Sequence, residues 1–243
     1  MTRAPPPAVD VWFLEPSGTS TRSWIDVLDP EERARAEAFR TPELREQYVA
    51  AHAMVRTVLS TYASVAPSGW RYAYGSKGRP RLVDAPADLR FSLSHSGPRA
   101  AVAVTVAREV GFDLEEVDPA KDPLGIADRF FTSAEAGALR ACHASARSAR
   151  FATLWTVKEA VLKARGVGLG SGLGKVEIDL DDAGGLRSVT GPQGPWSVAA
   201  WAPEPELRAA VAVRDPGPVR VRTFRIVPLG AARPADELGP PGR

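Results

Sequence analysis

VGFDLEE, residues Val110–Glu116, lies near the middle of the chain, and its reading decides the fold. Phe112 and Leu114 alternate with Asp113 and Glu115. In a strand, such alternation gives one apolar and one anionic face. Glu116 and Asp118 follow, so the local field is strongly negative and a bound metal would relieve it. Glu159 comes 46 residues after Asp113, in LWTVKEAVLKARG (154–166). That stretch reads as a helix in which Trp155, Glu159 and Lys163 share one stripe. If the strand end meets the helix, three hard oxygen ligands converge beside a lysine. Such a group suits Mg²⁺ bound to a phosphate-bearing substrate. Taken singly, each segment also fits a plainer role. The acids also suit a solvated edge, and Glu159–Lys163 a surface ion pair worth about 0.3–0.5 kcal/mol.

Working outward, similar patterns flank this segment. RAAVAV occurs at 99–104 and again at 208–213, an offset of 109 positions. The same offset lays the helix that contains Arg56 over the helix that contains Arg165. Two strands drawn from a biased Ala/Val alphabet would also match this way. The matching helices favour two related α/β halves, with their junction at 110–118 and a ligand where they meet. The expected division is 1–112, 113–227 and a Pro/Gly/Ala-rich tail, 228–243, that reads as disordered. Within the first half, Asp29-Pro30-Glu31-Glu32 reads as a helix start. A second helix is expected over 42–62, and strands over 9–14, 70–74, 91–93 and 100–106. In the second half, helices are expected over 133–144 and 150–165, with Gly166 as the stop. Strands are expected over 176–180, 196–202, 209–213 and 219–226.

Two further segments carry polar chemistry. FSLSHSG (91–97) surrounds His95 with small hydroxyl residues, which suits phosphate binding, acid–base work or a hydrogen-bonded loop histidine. YGSKGRPRL (74–82) sets Lys77, Arg79 and Arg81 among glycines and a proline. Backbone and cations can both approach an anion there, although a solvated basic loop has the same composition. His52, His95 and His143 are too scattered for a zinc site. Neither a nucleophile-elbow nor a Walker-type loop is present.

Composition bounds the rest. The chain has 243 residues, 44% hydrophobic and 25% charged, with a net charge of +2. These values fit a globular protein and give no general case for nucleic-acid or membrane binding. The longest strongly apolar run, 100–107, is far short of the ~20 residues that span a bilayer. A single cysteine, Cys142, excludes an internal disulfide and fits a cytoplasmic location.

The order FSLSHSG, GFDLEE, LWTVKEAVLKARGVGL resembles the 4′-phosphopantetheinyl transferase superfamily, and above all its Sfp-type branch. GRPRL looks like that branch's Gly-Lys-Pro segment, with Arg79 in the lysine place. RFFTSAEAGAL (129–139) is also similar. The likeness extends over about residues 10–215. It implies an α/β (α+β) fold, a pseudo-dimer of two similar halves with coenzyme A in the cleft between them. The implied reaction moves the phosphopantetheine arm of coenzyme A onto a serine of an apo acyl or peptidyl carrier protein. Adenosine 3′,5′-bisphosphate is the product that leaves.

Carried over by position, Asp113, Glu115 and Glu159 match the Mg²⁺ ligands, and Glu159 also the general base. Lys163 matches the lysine on the phosphates that supports the leaving group. Ser94 and His95 match phosphate contacts, His95 towards the 3′-phosphate. Lys77, Gly78, Arg79 and Pro80 match the adenine-side loop, and Arg35 a phosphate-binding residue. Two positions depart: Glu32 and Gln47 stand where basic residues are expected, leaving Arg45 or His52 to compensate. The resemblance further implies a monomer in secondary metabolism, docking an acidic carrier near 129–144. Another Mg²⁺-dependent nucleotide phosphotransferase or hydrolase, or an inactive coenzyme A-binding scaffold, are the alternatives.

Overall fold

The computed structural model describes residues 8–15, 22–75, 78–85, 88–118, 121–168 and 172–240. The first half contributes β1 (Ala8–Leu14), α1 (Arg22–Ile25), α2 (Pro30–Glu37), α3 (Pro42–Ser60), β2 (Tyr72–Tyr74), β3 (Pro80–Leu82), β4 (Leu89–Ser96) and β5 (Arg99–Val106). Next come β6 (Val110–Glu116), α4 (Pro123–Phe130), α5 (Ser133–Ala141), α6 (Ala144–Arg165), β7 (Glu177–Leu180) and β8 (Leu186–Thr190). The chain closes with β9 (Ser197–Trp201), β10 (Leu207–Val213), β11 (Arg220–Ile226) and β12 (Ala232–Pro234).

Two main sheets form, in the orders β12-β11-β1-β5-β4 and β6-β10-β9. Alternation along the strands sorts their side chains into layers. Val9, Val11, Phe13, Ala101 and Ala103 of the first sheet meet Phe112, Leu114, Ala209 and Val211 of the second. The opposite face of the first sheet, with Trp12, Val102 and Val104, packs on Met54, Val55 and Val58 of α3. Ala210 and Ala212, on the outer face of the second sheet, pack on Val157, Ala160 and Ala164 of α6. The result is helix, sheet, sheet, helix: the two α/β halves expected, with β1-β5-β4 answering β6-β10-β9.

The division along the chain differs from the expected one. β11 pairs in parallel with β1, Ala8 opposite Arg220 through Leu14 opposite Ile226. Residues 220–226 therefore belong to the first sheet. The tail, read as disordered from its composition, is ordered through residue 240. β12 pairs with β11, Ala235 and Leu238 fill the core between the sheets, and Trp201 Nε1 donates to Leu238 O at 2.5 Å. Two apolar side chains and paired backbone groups outweigh the cost of ordering this short segment. Among the described residues, no helix is long and apolar enough to cross a membrane.

Local signals account for the helices that position the site. Asp29 and Glu32 form a capping box at the start of α2, and Thr132 and Glu135 form one at α5. Gly166, at φ 68°, ends α6 in the left-handed region. α6 lies close on β6 because Gly111 has no side chain. A Cβ there would fall 1.9 Å from Ala160 O.

Candidate active site

β6 is the edge of its sheet and β4 is the edge of the other. The two edges meet through serine side chains rather than a backbone ladder. Ser92 Oγ accepts from Phe112 N and Ser96 Oγ from Glu116 N, both at 3.0 Å. Ser94 Oγ, between them, donates to Asp113 Oδ1 at 2.8 Å. Ser92, Ser94 and Ser96 share one face because β4 runs on to Ser96, three residues beyond the expected end at Leu93. This ladder explains the hydroxyl-rich segment. The alternation of Ser92, Ser94 and Ser96 with Leu93 and His95 is the sequence signal for this shared face.

Asp113 and Glu115 face α6, on the side of β6 opposite Phe112 and Leu114. Asp113 is 4% exposed and Glu159 7%. Lys163 Nζ donates to Asp113 Oδ1 at 2.7 Å and to Ser94 Oγ at 2.9 Å. Glu115 Oε2 lies 3.4 Å from Ser96 Oγ and 3.5 Å from Lys121 Nζ. Strand and helix thus bring Ser94, Asp113, Glu159 and Lys163 together, with Glu115 at the rim. Asp113 Oδ2 and Glu159 Oε1 are buried without a hydrogen-bond partner.

Burial raises Glu159 to about 7, Asp113 and Glu115 add to the rise, and Lys163 opposes it. Burial and then Asp113 likewise raise Glu115. The carboxylates do not close into a ready cage: among the described residues, no group of three or more His, Cys, Asp or Glu side chains is arranged to hold a metal ion. The Lys163 ammonium supplies the local positive charge.

The sequence-predicted cofactor residues are more scattered. His95 sits in β4 with an exposed edge, yet neighbouring atoms desolvate its ring and lower its pKa, with Lys163 and His52 adding to the effect. His52 Nδ1 is 2.9 Å from Glu32 Oε1, and its ring stacks on Tyr48 at 4.0 Å. Burial alone would raise the Glu32 carboxyl, but His52 and Arg56 outweigh it and the net shift is downward. Glu32 is therefore committed to the fold. Arg35 is exposed, 4.8 Å over the Tyr74 ring. Lys77 lies outside the described residues. Gly78, at φ 77°, occupies the β2–β3 turn, and Pro80 opens β3.

Arg79, expected in the adenine-side loop, lies between β2 and β3. Its guanidinium is taken by Ala164 O, Val110 O and Glu109. The basic patch expected near 129–144 is also weaker than its composition. Arg140 is paired with Asp128, and the Arg129 guanidinium lies 5.2 Å over the Phe130 ring.

The sequence model described as the 4′-phosphopantetheinyl transferase superfamily matches residues 109–212. The 4′-phosphopantetheinyl transferase HetI of Nostoc sp. is 37% identical over 188 residues, which is 76% of this chain and 78% of that protein. The chain belongs to the 4′-phosphopantetheinyl transferase superfamily. The transferase is also similar to Sfp of Bacillus subtilis, 27% identical over 194 residues, 79% of this chain and 85% of Sfp. A crystal structure of a holo-(acyl-carrier-protein) synthase from Bacillus anthracis, in complex with CoA (3′,5′-ADP), is similar to part of it. That match has TM-score 0.38 and 22% identity, and covers 44% of this chain and 96% of that one.

Proposed function

We propose that the transferase moves the 4′-phosphopantetheine arm of coenzyme A onto a serine of an apo carrier domain, at the seam where β4 faces β6. The observation that carries this reading is the pair of buried, unpartnered oxygens, Asp113 Oδ2 and Glu159 Oε1, beside Lys163. Two such atoms are costly to bury alone, and hard carboxylate oxygens suit a hard cation. Asp113 and Glu159, with Glu115 at the rim, would hold Mg²⁺. When bound, the ion supplies charge stabilisation to the phosphate oxygens.

The chain's own groups account for the rest. The carrier serine oxygen forms a new bond to the β-phosphorus of coenzyme A as the bond to the departing phosphate breaks. Glu159, poised at about 7 by burial, accepts the serine proton. Lys163 offsets charge on adenosine 3′,5′-bisphosphate as it leaves. Ser94 orients Asp113. Arg35, His52 and His95 are the candidates for the 3′-phosphate, because Glu32 is committed to Arg56 and His52. The β2–β3 turn, with Gly78 and Pro80, would take the adenine side, the side to which the resemblance also assigns Lys77. One chain supplies both halves, which fits a monomer, and the free thiol of Cys142 fits the cytoplasm. Acyl and peptidyl carriers of secondary metabolism are the partner class.

The test is incubation with Mg²⁺, coenzyme A and a panel of apo carriers, followed by intact-mass measurement. At least one carrier gains the arm and adenosine bisphosphate appears in equal amount. No modified carrier, or bisphosphate released equally well without a carrier, would sink the proposal; the second result would identify a hydrolase.

A further inference from the structure

Arg79 is on the first half of the molecule, in the turn between β2 and β3, yet its hydrogen bonds cross to the second. Nη1 donates to Ala164 O at 3.2 Å and Nη2 to Val110 O at 3.0 Å. Ala164 is in the last turn of α6, and Val110 is the first residue of β6. The Gly166 cap takes Leu162 O and Lys163 O, so the guanidinium serves a carbonyl that this cap leaves over. A cation there also suits the helix C-terminus. Glu109 Oε2, at 2.9 Å from Nη1, holds the guanidinium in place, and the side chain is 16% exposed.

These two anchor points belong to the two elements that build the site. β6 carries Asp113 and Glu115 three and five residues beyond Val110, while α6 carries Glu159 and Lys163 within the turn and a half before Ala164. The two elements cross where Gly111 meets Ala160 and Ala164, and Arg79 clasps both beside that crossing. A planar fork can reach two carbonyls and a carboxylate at once, whereas a lysine ammonium is a point charge.

We infer that Arg79 is a positioning residue. Held by Glu109, it sets the angle between α6 and β6, and through that angle the distance from Glu159 to Asp113. The inference deepens the reading of this site as a phosphopantetheinyl transferase centre and rests on it. The β2–β3 turn is the proposed adenine-side loop, so the strut gives substrate seated there a direct mechanical link to the reacting groups.

Steady-state kinetics of Arg79→Met, Arg79→Lys and Glu109→Gln, with coenzyme A varied against a saturating apo carrier, test this. The expected result for Arg79→Met is kcat about tenfold lower with KM for coenzyme A within about threefold of wild type. Arg79→Lys keeps the charge but not the fork, and falls several-fold in kcat. Glu109→Gln lowers kcat with KM unchanged. If Arg79 instead contacts coenzyme A directly, Arg79→Met raises KM tenfold at constant kcat, and Glu109→Gln frees the guanidinium and lowers KM; either result overturns the inference. Hydrogen exchange without substrate provides a second readout. The last turn of α6 and the start of β6 exchange faster in Arg79→Met, while unchanged exchange with unchanged kcat overturns the strut. Wild-type protein that modifies no carrier would instead defeat the transferase reading, and the exchange measurement would still decide the strut.

Discussion

Among the described residues, each half buries one whole cation of its long helix, and the two are held alike. Arg56 of α3 is fully buried against Glu32 and Asp29, and donates to Pro67 O and Trp70 O. Lys158 of α6 is fully buried against Glu135, and donates to Leu173 O and Val176 O. Glu32 and Glu135 are each the third residue of their helix, α2 and α5, and the acid of its capping box. In both halves, then, a cation ties the long helix to an earlier short helix and to the loop that follows.

The halves part at the strands beneath those helices. β1 is flanked on both sides, by β11 and β5, and its helix-facing acid, Asp10, is closed off by Tyr62 and Arg222. β6 has β10 on one side only, and on the other the serines of β4. Its helix-facing acids, Asp113 and Glu115, therefore lie at a seam between sheets. A carboxylate under a long helix becomes a candidate catalytic group here because its strand is an edge, not because of its residue type.

The largest effect should come from exchanging the acids. Asp113→Ala is expected to lower transfer by about a thousandfold or more while leaving the melting transition intact. Asp10→Ala should cost about 2 kcal/mol of stability, from lost charge-assisted hydrogen bonds, and leave kcat unchanged in the folded fraction. Carrier labelling and urea melts on both variants decide the matter. Equal loss of kcat would break the contrast between the two strands.

Next come the cations. Arg56→Ala and Lys158→Ala should each cost about 3–5 kcal/mol, because each strands a buried carboxylate and two carbonyls. Urea denaturation checks this, and a loss under about 1 kcal/mol in either would show the two anchors to be unlike.

The smallest effect concerns Glu159. Its carboxyl sits at about 7 in the folded protein, against an ordinary 4.5. The folded state therefore binds this proton more tightly than the unfolded chain does. The resulting stability is fully present below pH 4.5 and is lost as pH rises through about 7. In metal-free buffer at pH 8, Glu159→Gln should be more stable than wild type by about 2 kcal/mol. Thermal melts from pH 5 to 8 measure the slope. An identical slope in the variant would remove Glu159 as its source.

The clue to duplication shows how the sequence can be right for an incidental reason. The two RAAVAV strings both form central strands, β5 and β10. They are not in register between the halves: in β5, Val102 and Val104 face α3, and Ala101 and Ala103 face the other sheet. In β10, Ala210 and Ala212 face α6, and Val211 and Val213 face the other sheet. A shift of one residue exchanges the faces of a strand. α6 lies close over Gly111, and on β10 the residues packed against it are Ala210 and Ala212. Likewise the offset that placed Arg56 over Arg165 finds the matching helix, whereas the residue that does Arg56's work is Lys158, two turns earlier.

What the sequence determined by itself is what lies within one element. Alternation gave β6 its anionic face, one-turn spacing set Glu159 and Lys163 on one stripe of α6, and capping residues started α2 and α5. Their order along the chain pointed to the family. Tertiary structure alone decided what depends on which elements meet. It made β6 an edge, used the serines of β4 as a ladder, turned Arg79 into a strut, and ordered the tail by giving Ala235 and Leu238 a core to enter. Local patterns act over a few residues, whereas desolvation and partner choice are set by groups far apart in the chain, and sequence spacing carries no record of them.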